Sequence, residues 1–187
     1  IMFPTYFQLG FEHITDINGY DHMLFLLALC AAYVYSGWKK ILVLVTAFTV
    51  GHSITLSLAV LNIIPVNSDW IEFLIPVTIV ATAIKNMTLK QEKSSIPTYL
   101  MALAFGLIHG MGFSNYLRSL LGDELLLPLF SFNVGIEIGQ LLVVAAIFLI
   151  QFALIKTINV KHKHWNLAVS LVAGGISLLL AAQRIPF

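Results

Sequence analysis

The sequence predicts an all-α fold: a polytopic membrane helix bundle of about six transmembrane helices, both termini outside, with a short outer interfacial segment at the N-terminus. Three observations predict it. Hydrophobic residues make up 59% of the 187-residue chain and charged residues only 10%, whereas a soluble domain carries about a quarter charged residues. The apolar stretches have lengths near the ~20 residues that a helix needs to cross the hydrocarbon core. The basic residues gather in alternate connections, which is the pattern that orients helices in a bilayer.

Residues 1–12 are too short to span, and 1–18 are expected to form an outer interfacial segment and loop. Phe3, Tyr6, Phe7, Leu9 and Phe11 read as an aromatic segment at the outer interface, followed by a loop. Six spans are expected within 19–184, at 19–38, 40–62, 70–89, 98–121, 125–155 and 165–184, so that 1–187 forms a single transmembrane domain. The first span is barely long enough when counted back from Trp38, which sinks Asp21 and His22 below the outer interface. The fifth is over-long and either projects from the membrane or bends. Trp38, Trp70 and Trp165 fall at span ends, as an aromatic belt requires.

Lys39, Lys40, Lys85, Lys90, Lys93, Lys156, Lys161 and Lys163 fall on one side of this arrangement, and only Arg118 and Arg184 on the other. The lysine side is therefore read as cytoplasmic and the protein as integral to a bacterial-type inner membrane. Glu12, Asp16, Asp21, Asp69, Glu72, Asp123 and Glu124 lie toward the outer side, with only Glu92 inside. Acidic residues contribute little to topology, so an outer mouth that concentrates cations is a second reason for their bias.

The polar residues inside the spans carry the chemistry. His52 sits in "ILVLVTAFTVGHSITLSLAVLNII", His109 in "GLIHGMG" and Glu137 in "FNVGIEIGQ". At about 1.5 Å of rise per residue these three reach a similar depth. Asp21 and His22 lie above them, and His13 and Asp16 precede on a loop able to fold inward. Glu72 is near the outer end of span three, and Asn133 and Gln140 lie one turn to either side of Glu137. Ionisable groups inside a membrane are costly and face the bundle interior. Small residues flank them, at Ala47/Gly51, Gly106/Gly110 and Gly135/Gly139, where helices can approach closely. Thr49 and Thr55 share the face of His52 and are placed to orient its ring or hold a water. Simple hydrogen bonding across helices remains the blander alternative for each residue taken singly.

Imidazole with carboxylate suits a divalent transition metal such as Ni, Co or Zn. His13, Asp21, His22, His52, His109 and Glu137 are the expected metal ligands, more than one tetrahedral ion needs. The surplus either orients ligands or forms stations on a path, in which Asp16, Ser53, Glu72, Asn133 and Gln140 are the further candidates. Thr46, Thr49, Thr78, Thr82 and Ser170 are the few polar groups of the inner halves. His162 and His164 read as a solvated basic loop. Cys30, the single cysteine, packs in the first span and makes no disulfide. Nucleotide-binding and nucleophile-elbow motifs are absent from the sequence. Ser53 beside His52 is a poor dyad, because adjacent helical residues do not face each other.

The stretches "GFEHITDINGYDHMLFLLAL", "VTAFTVGHSITLSLAVL", "FGLIHGMGFS" and "FNVGIEIGQL" resemble the HupE/UreJ family of small membrane proteins over most of residues 9–145. The chain reads "HITDINGYDH" where hydrogenase-type members carry a proline after the first histidine, so it resembles a divergent branch. The resemblance implies a nickel or cobalt permease, with His13, Asp21, His22, His52, His109 and Glu137 as the matching ligand positions.

A nickel/cobalt-type metal permease is therefore the leading reading. The first alternative is an intramembrane zinc-dependent hydrolase acting on a lipid or a membrane peptide, with Glu137 or Asp21 as base. The second is a metal-binding accessory protein. The expected partners are the metal ion and the lipid bilayer, with no nucleic acid; a homo-oligomer is left open.

Overall fold

A computed structural model describes residues 2–17, 19–88, 96–121 and 124–186, and every regular element among them is helical. In chain order these are α1 (Met2–Thr15), α2 (Asp21–Ala31), a 3₁₀ turn (Tyr35–Gly37), α3 (Trp38–Val60), α4 (Ser68–Thr88), α5 (Ile96–Gly112), α6 (Ser114–Leu120), α7 (Leu126–Thr157) and α8 (His162–Gln183). Lys90, Glu92, Lys93 and Asp123, used in the charge pattern, lie outside the described residues.

Among the described residues four helical stretches are long and apolar enough to cross a membrane: Tyr35–Val60, α4, α7 and α8. A fifth results if α5 and α6, bent by 49° about Phe113, count as one broken span. This differs from the six expected. Before the 3₁₀ turn that leads into α3, the stretch 19–38 has one helix, the 11-residue α2, about 16 Å long at 1.5 Å per residue, against a hydrocarbon core of roughly 30 Å. The over-long fifth stretch is one helix of 32 residues.

An 11-residue helix can stop inside a bundle only if its freed backbone groups find partners, because lipid offers none. α2 meets this condition by being central. It touches α1, α3, α4, α7 and α8, and eight of its 11 residues are buried, Cys30 included. A helix apolar on every side belongs in such a position. At its C-terminal end Asn86 Nδ2 donates to the Ala28 carbonyl at 2.7 Å. Gln151 bridges the following turn, accepting from the Tyr35 amide at 2.7 Å and donating to the Tyr33 carbonyl at 2.8 Å. Asn86 also reaches Ser170, which donates to Asn166, which donates back to the Asn86 carbonyl. This closed ring of bonds ties α2, α4 and α8 together.

Two helix pairs are packed backbone to backbone through glycine. In α3 and α5, a Cβ on Gly51 would strike the Leu103 carbonyl, one on Gly106 the Phe48 carbonyl, and one on Gly110 the His52 carbonyl. The partners advance together along both chains, so the helices run parallel. In α1 and α7, a Cβ on Gly10 would strike the Phe132 carbonyl, one on Gly135 the Phe7 carbonyl, and one on Gly139 the Ile14 side chain. This pair is parallel too. Residues 2–15, which include the aromatic segment expected at the outer interface, are thus a helix seated lengthwise on α7 with Gly10 and Ile14 buried. Three glycines make room for it, and its aromatic spacing alone does not report them.

Side-chain hydrogen bonds join the two pairs. Ser53 lies 2.7 Å from Asn133 Oδ1, Thr49 Oγ1 lies against the Gln140 side-chain amide, and Thr46 donates to Glu137 Oε1 at 2.7 Å. Descending α3 from Ser53 to Thr49 and Thr46 climbs α7 from Asn133 to 137–140, so the pairs run in opposite directions.

Gly106→Ala is expected to destabilise the bundle by about 1–3 kcal/mol through overpacking, whereas Gly175→Ala, with open space around its Cβ position, leaves it unchanged. Denaturation midpoints in detergent compare them directly. Gln151→Leu strips two backbone groups of their partner and is expected to cost about 1–3 kcal/mol per group, read in the same assay.

Candidate metal centre

Four histidines on four helices converge. His13 is in the last turns of α1, His22 in the first turn of α2, His52 in the middle of α3 and His109 near the end of α5. The glycine contacts place them. Gly51 and Gly106 let α3 and α5 touch, and His52 and His109 stand within three residues of those glycines. Gly10 seats α1 on α7 and delivers His13 one turn later.

Ring centroids are 4.7 Å apart for His13 and His22, 6.0 Å for His13 and His52, and 5.9 Å for His22 and His52. One ligating nitrogen from each of these three lies within 4.8 Å of the others. His109 stands next to this group and outside it, its ring 5.2 Å from that of His22. His22, His52 and His109 are buried and His13 is partly so. His13 Nε2, His22 Nε2, both nitrogens of His52 and His109 Nδ1 are buried without a hydrogen-bond partner. A buried polar atom without a partner costs free energy. Several converging on one spot make a nitrogen-lined pocket whose lone pairs suit a borderline cation such as Zn²⁺, Ni²⁺ or Co²⁺.

The cluster lies between two apolar groups of residues. On one side Phe48 and Phe25 pack on His109 at 5.1 and 5.4 Å between ring centroids. On the other Phe113 stacks on Phe132 and comes within 4.0 Å of the His13 ring centroid. Phe113 is also where α5 breaks into α6. A cavity of about 680 Å³ is lined by Glu12, Asp16, Tyr116, His13 and Phe113 among others, and the first three are exposed. Of the four histidines, His13 is the one that lines this cavity.

The expected carboxylates lie outside the three-histidine group. Asp21 Oδ2 accepts from Arg184 at 3.0 Å and Glu137 Oε1 accepts from Thr46, while Asp21 Oδ1 and Glu137 Oε2 are buried without a partner. Ser53 and Asn133 pair with each other, as do Thr49 and Gln140. Asp16 lines the cavity, and Glu72 is exposed near the start of α4. Thr49 and Thr55, expected to orient His52 or hold a water beside it, make no hydrogen bond to its ring: Thr49 lies beside Gln140 and the Val45 carbonyl, and Thr55 bonds the Gly51 carbonyl. Both hydroxyls are drawn to helix carbonyls one turn back, a habit of mid-helix threonine. His162 and His164 lie in the first turn of α8 and not in a loop.

Sequence reasoning missed the aromatic walls of Phe25, Phe48 and Phe113, since phenylalanines in a hydrophobic chain carry no signal of their own. It noted Arg184 only as an outlying charge and Thr78 only as a polar group of an inner half. The structure puts Arg184 on Asp21 and Thr78 on His109.

Neither a curated protein nor a solved structure matches the chain. The family model described as "HupE / UreJ protein" matches residues 1–184, and the chain therefore belongs to the HupE/UreJ family.

Proposed function

We propose that this protein is a membrane permease for a divalent transition metal of the nickel/cobalt type, with the metal as cargo. One observation carries the reading: three histidines from three helices hold their ligating nitrogens within 4.8 Å of one another, and none of those rings has its full set of partners in the protein. A cation would enter from the cavity beside Glu12 and Asp16 and be held by His13, His22 and His52, with His109 alongside. In this reading the whole chain acts as one transmembrane domain in an inner membrane, with α2 as an incomplete central span and α1 docked beside it. Lys39, Lys40, Lys85, Lys156, Lys161 and Lys163 stand at helix ends on one end of the bundle, which supports a cytoplasmic assignment there and outer positions for both termini. Asp21 and Glu137 would act around the ion, on the path to or from it, together with Ser53, Asn133, Gln140 and Glu72. Imidazole accepts a metal only when unprotonated.

A zinc hydrolase has one observation in its favour: three imidazoles leave a fourth position open for water, as catalytic zinc sites do. It also needs a carboxylate base within hydrogen-bond reach of that water. Asp21 and Glu137 each keep one oxygen free of protein partners, but neither falls within the three-histidine group, which favours transport. The accessory-protein reading shares the site and lacks only the flux.

Purified protein loaded with Ni²⁺, Co²⁺ or Zn²⁺ is expected to retain metal after desalting. His52→Ala is expected to retain less by a factor on the order of ten or more, while His164→Ala retains it fully. Equal metal in all three overturns the shared site. In proteoliposomes carrying an entrapped metal-sensitive dye, wild-type protein is expected to admit the ion and His52→Ala to admit none. Binding without flux selects the accessory reading, and chelation-resistant zinc with lipid or peptide cleavage selects the hydrolase.

A further inference from the structure

His109 differs from the other three histidines in having one nitrogen already engaged. Its Nε2 lies 2.9 Å from the Thr78 hydroxyl on α4, and the same hydroxyl lies 2.7 Å from the Ile75 carbonyl oxygen. Thr78 and His109 are 3% and 1% exposed, so water does not compete for either bond. A hydroxyl carries one proton, and a carbonyl oxygen can only accept. Both contacts are hydrogen bonds in one arrangement alone: Thr78 donates to Ile75, and His109 Nε2 supplies its own proton to the Thr78 oxygen. The reverse would leave two oxygens 2.7 Å apart with no hydrogen between them.

A neutral imidazole protonated on Nε2 has its lone pair on Nδ1. His109 Nδ1 is buried and has no hydrogen-bond partner. The ring stands 5.2 Å from that of His22, with Phe25 and Phe48 packed around it. Resting on the metal-site reading above, we infer that Thr78 is a positioning residue: it holds His109 as the Nε2–H tautomer, so that His109 offers Nδ1 to the ion as a fourth imidazole beside His13, His22 and His52. The backbone sets this up. The Ile75 side chain packs against the open face of Gly112, and three residues along each helix the antiparallel register brings Thr78 to His109. A metal-ligating histidine whose other nitrogen is tied in this way binds more tightly than one left to choose its tautomer.

The inference is tested with Thr78→Val and Thr78→Ser in the full-length protein in detergent. In metal-free protein, nitrogen NMR of labelled histidine, with His109 assigned by its absence in His109→Ala, is expected to show Nε2–H predominating in wild type and in Thr78→Ser. Thr78→Val is expected to show a mixture. On titration with Co²⁺, Thr78→Val is expected to bind about 10–100-fold more weakly with a shifted visible d–d spectrum, and Thr78→Ser to match wild type. A merely structural hydroxyl would lower stability without moving the tautomer or the spectrum. Wild-type tautomer and Co²⁺ affinity in Thr78→Val, or an Nδ1–H form in wild type, overturn the inference. Failure of wild type to bind Co²⁺ instead overturns the metal-site reading, and the tautomer measurement still decides the role of Thr78.

Discussion

Close backbone approach through glycine is the constraint on which the rest of this structure depends. α3 and α5 touch at Gly51, Gly106 and Gly110, and α1 and α7 touch at Gly10, Gly135 and Gly139. In a bilayer the hydrophobic effect does not drive helix against helix, so van der Waals contact and hydrogen bonds must do it. Glycine maximises the first by removing the side chain between two backbones. The consequence reaches the histidines directly. His52 and His109 follow glycines that are in contact across the α3–α5 seam, so their rings project from two helices at the smallest separation helices can reach. The α1–α7 seam does the same for His13.

The second requirement is that His22 arrive at the same place from above an incomplete span. α2 is too short to cross, and its end would expose carbonyl groups to a medium that cannot bond them. Asn86 and Gln151 satisfy those groups from α4 and α7. At the other end Arg184 holds Asp21, the residue before His22. A short helix fixed at both ends by polar side chains of its neighbours has little freedom to slide, and His22 is held with it. These polar residues are structural in the sense that they keep the backbone legal within the membrane.

Protein partners satisfy the ionisable groups only in part. Asp21 and Glu137 each have one oxygen held, by Arg184 and Thr46, and one buried without a partner, while His52 has neither nitrogen engaged. The group whose ligating atoms lie close together is made of three imidazoles, with both carboxylates outside it. Nitrogen donors favour nickel, cobalt or zinc over magnesium or calcium, which prefer oxygen. The family match over residues 1–184 takes in all four helices that carry the clustered histidines.

The sequence by itself determined the helical membrane class, through composition and run length, and the identity of the four histidines, because imidazoles in apolar runs are conspicuous. Glycines beside them marked the seams. The sequence could not say that residues 19–38 yield an 11-residue helix, because hydropathy measures apolarity and α2 is apolar through burial among helices, not through contact with lipid. Nor could it say that residues 2–15 dock on α7, which depends on glycines more than a hundred residues away. It also could not separate ligands from their neighbours. His52 and Thr49 share a helical face by spacing, yet Thr49 turns to Gln140 on α7 and leaves His52 bare, while Thr78, thirty-one residues from His109, bonds its ring. Spacing within one helix is local and is written in the sequence. Which atom of one helix meets which atom of another is decided only when the glycine seams bring the backbones together.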